Sequence, residues 1–245
     1  SMGQTPAALS QPVYDIVRKI TGVDDPYAEA KKESNRITLG LLPDLKKKIV
    51  SSPHPLNMAL RAAAAGNVID LGLGYKYDID IEKDMDELMS KPFAIDATDE
   101  LEAESRPGAK VLYLGDNAGE ITFDTLLVEQ LLNLKLDVTF VVKSGAIIND
   151  ATMEDAEKVG MTSLVNVITT GSRDIGVNWS NASDEFKRYF READIIIAKG
   201  HGNFETCNDA EGNLYFLLKA KCQMVAKELG VKLGDTVFKH VGKWK

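Results

Sequence analysis

Four short polar strings in the second half of the chain gather hard oxygens, cations and glycines. They are GDNAGE at 115–120, KSGAIIND at 143–150, TTGSRD at 169–174 and KGHGNFE at 199–205. Asp116 beside Asn117 sets a carboxylate next to a neutral amide oxygen, a pair suited to Mg²⁺ or Mn²⁺ rather than to a soft metal. Asp150, with Asn149 beside it, offers a second carboxylate. Its position equally fits capping a helix over Ala151–Val159, and one carboxylate can serve both roles. Glu120 comes one helical step after the pair, where it could orient water or a sugar hydroxyl. In the last string Lys199 is a point charge for phosphate, Gly200 and Gly202 permit close backbone approach, and the Asn203 amide can donate. Lys219 and Lys221 end the next strand and could reach the same crevice, although lysines at strand ends are usually just solvated. Metal-activated water plus cations for the developing charge is what phosphoryl chemistry needs.

Other polar residues make weaker cases. His201 alone among three histidines lies in a motif, and a pocket-lining or exposed role is favoured for it over acid–base work. Ser144 and Cys207 lack an evident His–Asp partner, so covalent nucleophilic catalysis is a minority reading. Asn67, just after Gly66, reads by itself as a helix C-terminal cap.

These strings must be positioned by the elements before them. From about residue 109 short apolar strands alternate with amphipathic helices: Val111–Leu114, Val138–Val142, Leu164–Thr169 and Ile195–Ala198, with a fifth run at Tyr215–Leu218 and a helix near Val225–Leu229. Continuous apolar strands between helices indicate a parallel sheet covered on both faces. Each strand runs straight into one of the polar loops, and ligands of such sheets bind at the carboxyl ends of the strands. The expected fold class is therefore α/β, a Rossmann-like mostly parallel sheet flanked by helices with an N-terminal all-helical part. The helical part is placed at 1–93 and the Rossmann-like core at 109–245, with 92–108 as linker. Within the helical part, Tyr14, Val17 and Ile20 recur at helical spacing, while Pro43, Pro53 and Pro55 divide the next stretch into separate helices. Leu56–Ala65 is rich in helix formers and Gly66 stands as a stop signal.

Composition narrows the partners. A net charge of −8 over 245 residues disfavours generic binding to nucleic acid or anionic membrane, yet leaves room for a local cationic pocket. No apolar run is long enough to span a bilayer, no secretory leader is visible, and two cysteines suit reduced thiols in the cytoplasm.

The strings DNAGE at 116–120, INDAT at 148–152 and KGHGNFET at 199–206, with DDPY at 24–27 and AGNVID at 65–70, resemble the damage-control phosphatase family of metal-dependent phosphometabolite hydrolases. The likeness is to its stand-alone prokaryotic branch and runs from about residue 11 to 240. It implies a helical part packed on a Rossmann-like core, and one divalent cation (Mn²⁺, Mg²⁺, Co²⁺ or Ni²⁺) held at the positions of Asp116, Asn117 and Asp150. It implies a Gly-x-x-Asn phosphate loop at Gly200–Asn203 preceded by Lys199, a substrate lysine at Lys219, and a substrate role for Asn67. The implied substrate is a small phosphorylated metabolite such as a sugar phosphate. Two departures stand out: an amide more often occupies the place of His201, and a further N-terminal helical segment is not seen in this chain.

Two other readings remain open on sequence alone. A strand running into Gly-Asp-Asn-Ala-Gly loosely resembles the glycine-rich loop of S-adenosylmethionine-dependent methyltransferases. Methyl transfer, however, needs no hard-metal pair, and Lys143 stands where an acidic ribose-binding residue would be expected. A non-enzymatic binding module is the other reading, since a fold alone never excludes it. No GxGxxG fingerprint supports a nicotinamide enzyme.

Overall fold

A computed structural model describes residues 6–66 and 81–243. Before the first strand, every described element is helical: α1 (Pro6–Thr21), α2 (Ala28–Ser51), α3 (Pro55–Gly66) and α4 (Ile81–Ser90). Pro43 does not divide this region. It lies inside α2 on an exposed face, where the carbonyl it leaves unpaired can be hydrated. The apolar residues of α1 do not form a buried stripe either, because Val17 and Ile20 are exposed while Tyr14 is half-buried.

The sheet then builds from β1 (Ile95–Asp96), β2 (Lys110–Leu114), β3 (Asp137–Val142), β4 (Asn166–Thr169), β5 (Ile195–Lys199), β6 (Gly212–Lys219) and β7 (Thr236–Lys243). The intervening helices are α5 (Thr98–Glu104), α6 (Glu120–Asn133), α7 (Met153–Lys158), α8 (Met161–Leu164), α9 (Asp184–Glu192), α10 (Gly200–Cys207) and α11 (Gln223–Leu229). Strand order is β1-β7-β6-β5-β2-β3-β4. Strands β2 to β6 run parallel, β7 is antiparallel to β6, and β1 is parallel to β7. The fold is thus α/β with a mostly parallel sheet flanked by helices.

Residues 92–108, expected as a linker, instead carry β1 and α5: Ile95 pairs with Val237 and Asp96 with Phe238. A two-residue strand has no periodicity to read, so its pairing with a distant strand leaves no local signal. Neither β1 nor β7 is among the expected strands.

Apolar side chains on the two sheet faces enter different clusters. Val111, Tyr113, Phe140 and Ile197 face α2, α3, α4 and α6, while Leu112, Leu114, Ile196 and Phe216 face α9, α10 and α11. Both faces are therefore buried, which is why the strands read as continuous apolar runs. The alanines of α3 (Ala59, Ala62, Ala63, Ala64, Ala65) are all buried, and their small side chains let α3 lie close on α6. At Gly66 a Cβ would stand 2.7 Å from the Phe123 ring and 3.2 Å from Glu120 Cγ. The run that looks like a generic helix former is thus also the surface that seats the helical part against the site.

Candidate active site

Parallel order reverses at β2, which has β3 on one side and β5 on the other. The loops after β2 and β5 consequently flank the switch-point crevice, where ligands of open α/β sheets bind. Asp116 and Asn117 come directly after β2, and Lys199 and Gly200 end β5 and begin α10.

The β2 and β3 loops are stitched together by backbone. Gly115 N–H donates to Val141 O at 3.0 Å, Ala118 N–H to Asn149 O at 2.9 Å, and Ala151 N–H to Asp116 O at 2.8 Å. Asn117 and Asp150 thereby face each other in a short antiparallel bridge. The structure brings Asp116, Asn117, Asp150 and Glu120 together: Asn117 Nδ2 donates to Asp116 Oδ2 at 3.2 Å and to Glu120 Oε2 at 3.3 Å. Burial raises the Asp116 carboxyl well above its usual range, and the nearby Glu120 and Asp150 charges raise it further. Asp150 is pushed up to about 6, again chiefly by burial, against the opposing pull of Lys143. Lys143 Nζ lies 3.7 Å from Asp150 Oδ2 and also donates to Gly176 O.

Asp150 does not cap the next helix. Helix α7 starts at Met153, two residues later than expected, behind Thr152. Thr152 N–H and Oγ1 donate to Asp155 Oδ2 at 2.9 and 2.8 Å, so Asp155 closes the helix start and the Asp150 carboxylate stays paired with Lys143.

Lys199 departs from the expectation that it offers its charge to phosphate. Its side chain is 0% exposed. Its ammonium donates to Asp124 Oδ1 at 2.7 Å and to Ala63 O at 3.0 Å, and forms an ion pair with Glu120. Those three partners occupy its three donors. Burial works to lower its pKa, but Asp124 and Glu120 overturn that and hold the group charged. Asp124, in turn, accepts from Tyr113 Oη at 2.7 Å. Asn203 is likewise committed: its Nδ2 donates to Gly115 O at 3.1 Å and to Lys199 O at 2.8 Å, pinning the ends of β2 and β5 side by side. Gly202 packs on the 175–176 turn, where a Cβ would come 3.1 Å from Gly176 N. The Lys199 and Asn203 side chains are thus committed to buried partners.

His201 Nε2 lies 2.7 Å from Lys219 O and 3.0 Å from the Lys221 amide nitrogen. It ties α10 to the end of β6, and burial lowers its pKa. The Lys221 charge opposes the raised Asp116 pKa. Lys219 instead shares a small cleft with Arg61 and Lys91. Arg173, from the third polar string, covers Gly145 and pairs with Asp24 at 2.5 Å. Asn67 lies outside the described residues.

Sequence reasoning missed the helical part's own contribution. Asn35 Oδ1 accepts from Gly119 N–H at 2.6 Å, while its Nδ2 donates to Asp155 Oδ1 at 2.8 Å. Lys31 pairs with Asp25 at 2.9 Å and Asp155 at 3.4 Å. One turn of α2 therefore holds Gly119 in the β2 loop and Asp155 in the first turn of α7, just after the β3 loop. The signal is present as polar residues (Lys31, Ser34, Asn35, Thr38) recurring at helical spacing, but such a stripe ordinarily marks a solvated face.

Among the described residues no cluster of three or more His, Cys, Asp or Glu side chains is arranged to hold a metal. The candidate set is two carboxylates and an amide, Asp116, Asp150 and Asn117. No helix among the described residues is long and apolar enough to cross a membrane.

Residues 3–237 match the damage-control phosphatase ARMT1-like domain. The chain belongs to that family. A damage-control phosphatase of Pyrococcus horikoshii is 37% identical over 95% of this chain and 80% of its own length. One of Archaeoglobus fulgidus is 35% identical over 96% and 82%. An uncharacterised protein of Methanocaldococcus jannaschii is 38% identical over 95% and 79%. The crystal structure of a DUF89 family protein from Pyrococcus horikoshii superposes with a TM-score of 0.90 at 36% identity, covering 98% of this chain and 84% of that one. Membership of the damage-control phosphatase family supports a phosphatase role.

Proposed function

We propose that the chain is a divalent-metal-dependent phosphomonoester hydrolase acting on small phosphorylated metabolites. The observation that carries this reading is the pairing of the β2 and β3 loops, which sets Asp116, Asn117 and Asp150 at the switch point. The donor set fits a hard divalent cation such as Mg²⁺, Mn²⁺, Co²⁺ or Ni²⁺: two carboxylates and an amide, all oxygen, with Asp116 and Asp150 each raised in pKa by burial. Such a cation, when bound, would neutralise phosphate charge and acidify a water.

The chain's own residues supply the rest. Asn117, whose amide nitrogen points to Asp116 and Glu120, is left with its oxygen for the cation. Glu120, paired with Lys199, orients the attacking water or a substrate hydroxyl. Lys199 and Asn203 act by holding that carboxylate and the two strand ends in place, and Lys221 brings positive charge from beyond the end of β6, while Lys219 contacts substrate from the neighbouring cleft. Asn67 is retained as a substrate contact on the family pattern alone. Both cysteines are free, which suits a cytoplasmic location. Neither nucleic acid nor membrane is proposed as a partner, given the acidic net charge of −8.

The deciding experiment measures phosphate release from a panel of sugar phosphates and other phosphometabolites, with chelator and then with each divalent cation restored. Activity that survives chelation, or that persists in Asp116→Asn, would sink the reading.

A further inference from the structure

Beside the crevice, a cleft of about 80 Å³ opens between α3, the end of α4 and the facing ends of β6 and β7. Arg61, Lys91 and Lys219 line it, with Ala64, Ala65 and Phe93, and its described lining carries no carboxylate. Because β7 is antiparallel to β6, Lys219 and Thr236 meet at one edge of the sheet. That edge also carries Asp116 and Lys199 at the ends of β2 and β5.

Among the described residues Arg61 Nε is buried without a hydrogen-bond partner, and the bond from its Nη1 to Met89 O is long, at 3.4 Å. Lys91 reaches Glu87 at 2.9 Å, but both side chains are 60% or more exposed, where such pairs contribute little. Burial lowers the Lys219 pKa, and the like charges of Lys221 and Lys91 lower it further. A guanidinium beside two ammonium groups against an apolar wall is the chemistry of a phosphate or carboxylate subsite.

We propose that Arg61, Lys91 and Lys219 form a subsite for a second anionic group, so that preferred substrates carry a further phosphate or carboxylate besides the phosphoester that is cleaved. This rests on the phosphatase reading and adds the substrate class to it. Strand spacing sets the reach. From β2 to β6 is two inter-strand steps, roughly 10 Å, which a sugar-sized skeleton bearing a charge at each end can span.

The test separates the subsite from hydrolysis. The full chain is titrated calorimetrically, in chelator so that no turnover occurs, with a hexose monophosphate, the matching hexose bisphosphate and the matching sugar-acid phosphate. The doubly anionic ligands should bind about tenfold tighter than the monophosphate, and Arg61→Gln should erase that ratio. Arg61→Lys, which keeps charge and bulk, should retain part of it; Lys91→Gln, at an exposed position, reports the same ratio if Arg61→Gln does not fold. Preference for the bisphosphate or for the acid phosphate tells which anion the subsite takes. Equal binding of all three ligands by the wild type, or a ratio unchanged in the variants, overturns the proposal. Phosphate release is then measured with Mn²⁺ restored. A preserved ratio with no release counts against hydrolysis and leaves the subsite standing.

Discussion

Gly200 presses its backbone against the Asp116 carboxylate: a Cβ at Gly200 would stand 1.9 Å from Asp116 Oδ2. The residue also sits at φ +78°, a left-handed conformation that side chains rarely adopt. Two independent demands thus require glycine at the first position of α10. Gly200→Ala should displace the carboxylate and lose at least about tenfold in metal affinity, with a stability cost of about 1–2 kcal/mol from the backbone alone. Calorimetric titration with Mn²⁺ and a denaturant melt check both parts; unchanged metal affinity would show that the contact does not position Asp116.

Removing the buried ammonium should be severe. Lys199→Met leaves Glu120 and Asp124 facing each other in the core with no counter-charge, and breaking a buried pair in this way costs about 3–5 kcal/mol. Asp124→Asn keeps shape and one hydrogen-bond acceptor, and should cost clearly less. Urea unfolding of the two variants beside the wild type gives the comparison. Equal losses would mean that the Lys199 charge is not what the network depends on.

The grip of α2 on Gly119 and Asp155 predicts an effect on function from a residue far from any motif. Asn35→Leu removes the acceptor for Gly119 N–H and the donor to Asp155. Each buried group left unpaired costs about 1–3 kcal/mol, and metal affinity should fall together with stability because Gly119 sits between Asn117 and Glu120. A melt that drops while metal affinity holds would limit Asn35 to a structural role.

The two thiols should differ in reactivity. Cys207 is fully buried and burial pushes its pKa up to about 12, so it is neither accessible nor ionised at neutral pH. Cys222 is half-buried. A thiol-titrating disulfide reagent should count one cysteine in the native protein and two in denaturant, with Cys222→Ser removing the native signal.

Much of the fold is legible in the sequence because its determinants are local. Strands buried on both faces appear as apolar runs, so β2, β3, β5 and β6 can be drawn within a few residues, and the polar loops fall at their ends. Strand β1 escapes because two residues paired with a strand some 140 positions later carry no periodic signal of their own. Pro43 misleads because a proline's disruption depends on whether the freed carbonyl faces water, which is a property of packing.

The same division runs through the site. Sequence by itself determined the residue types and their order: a hard-oxygen pair at Asp116 and Asn117, a carboxylate at Asp150, and a glycine-rich cationic string from Lys199. Those identities survive any rearrangement of the chain around them. Only the tertiary structure decided which charges face the crevice and which are consumed beneath it. Lys199, by residue type the obvious phosphate ligand, ends with its three donors on Ala63, Asp124 and Glu120, while Arg61, inconspicuous in its alanine helix, ends in a cleft with Lys219. The reason is that burying an ammonium is tolerable only beside carboxylates that compensate it, and which carboxylates lie within reach is set by elements distant in sequence.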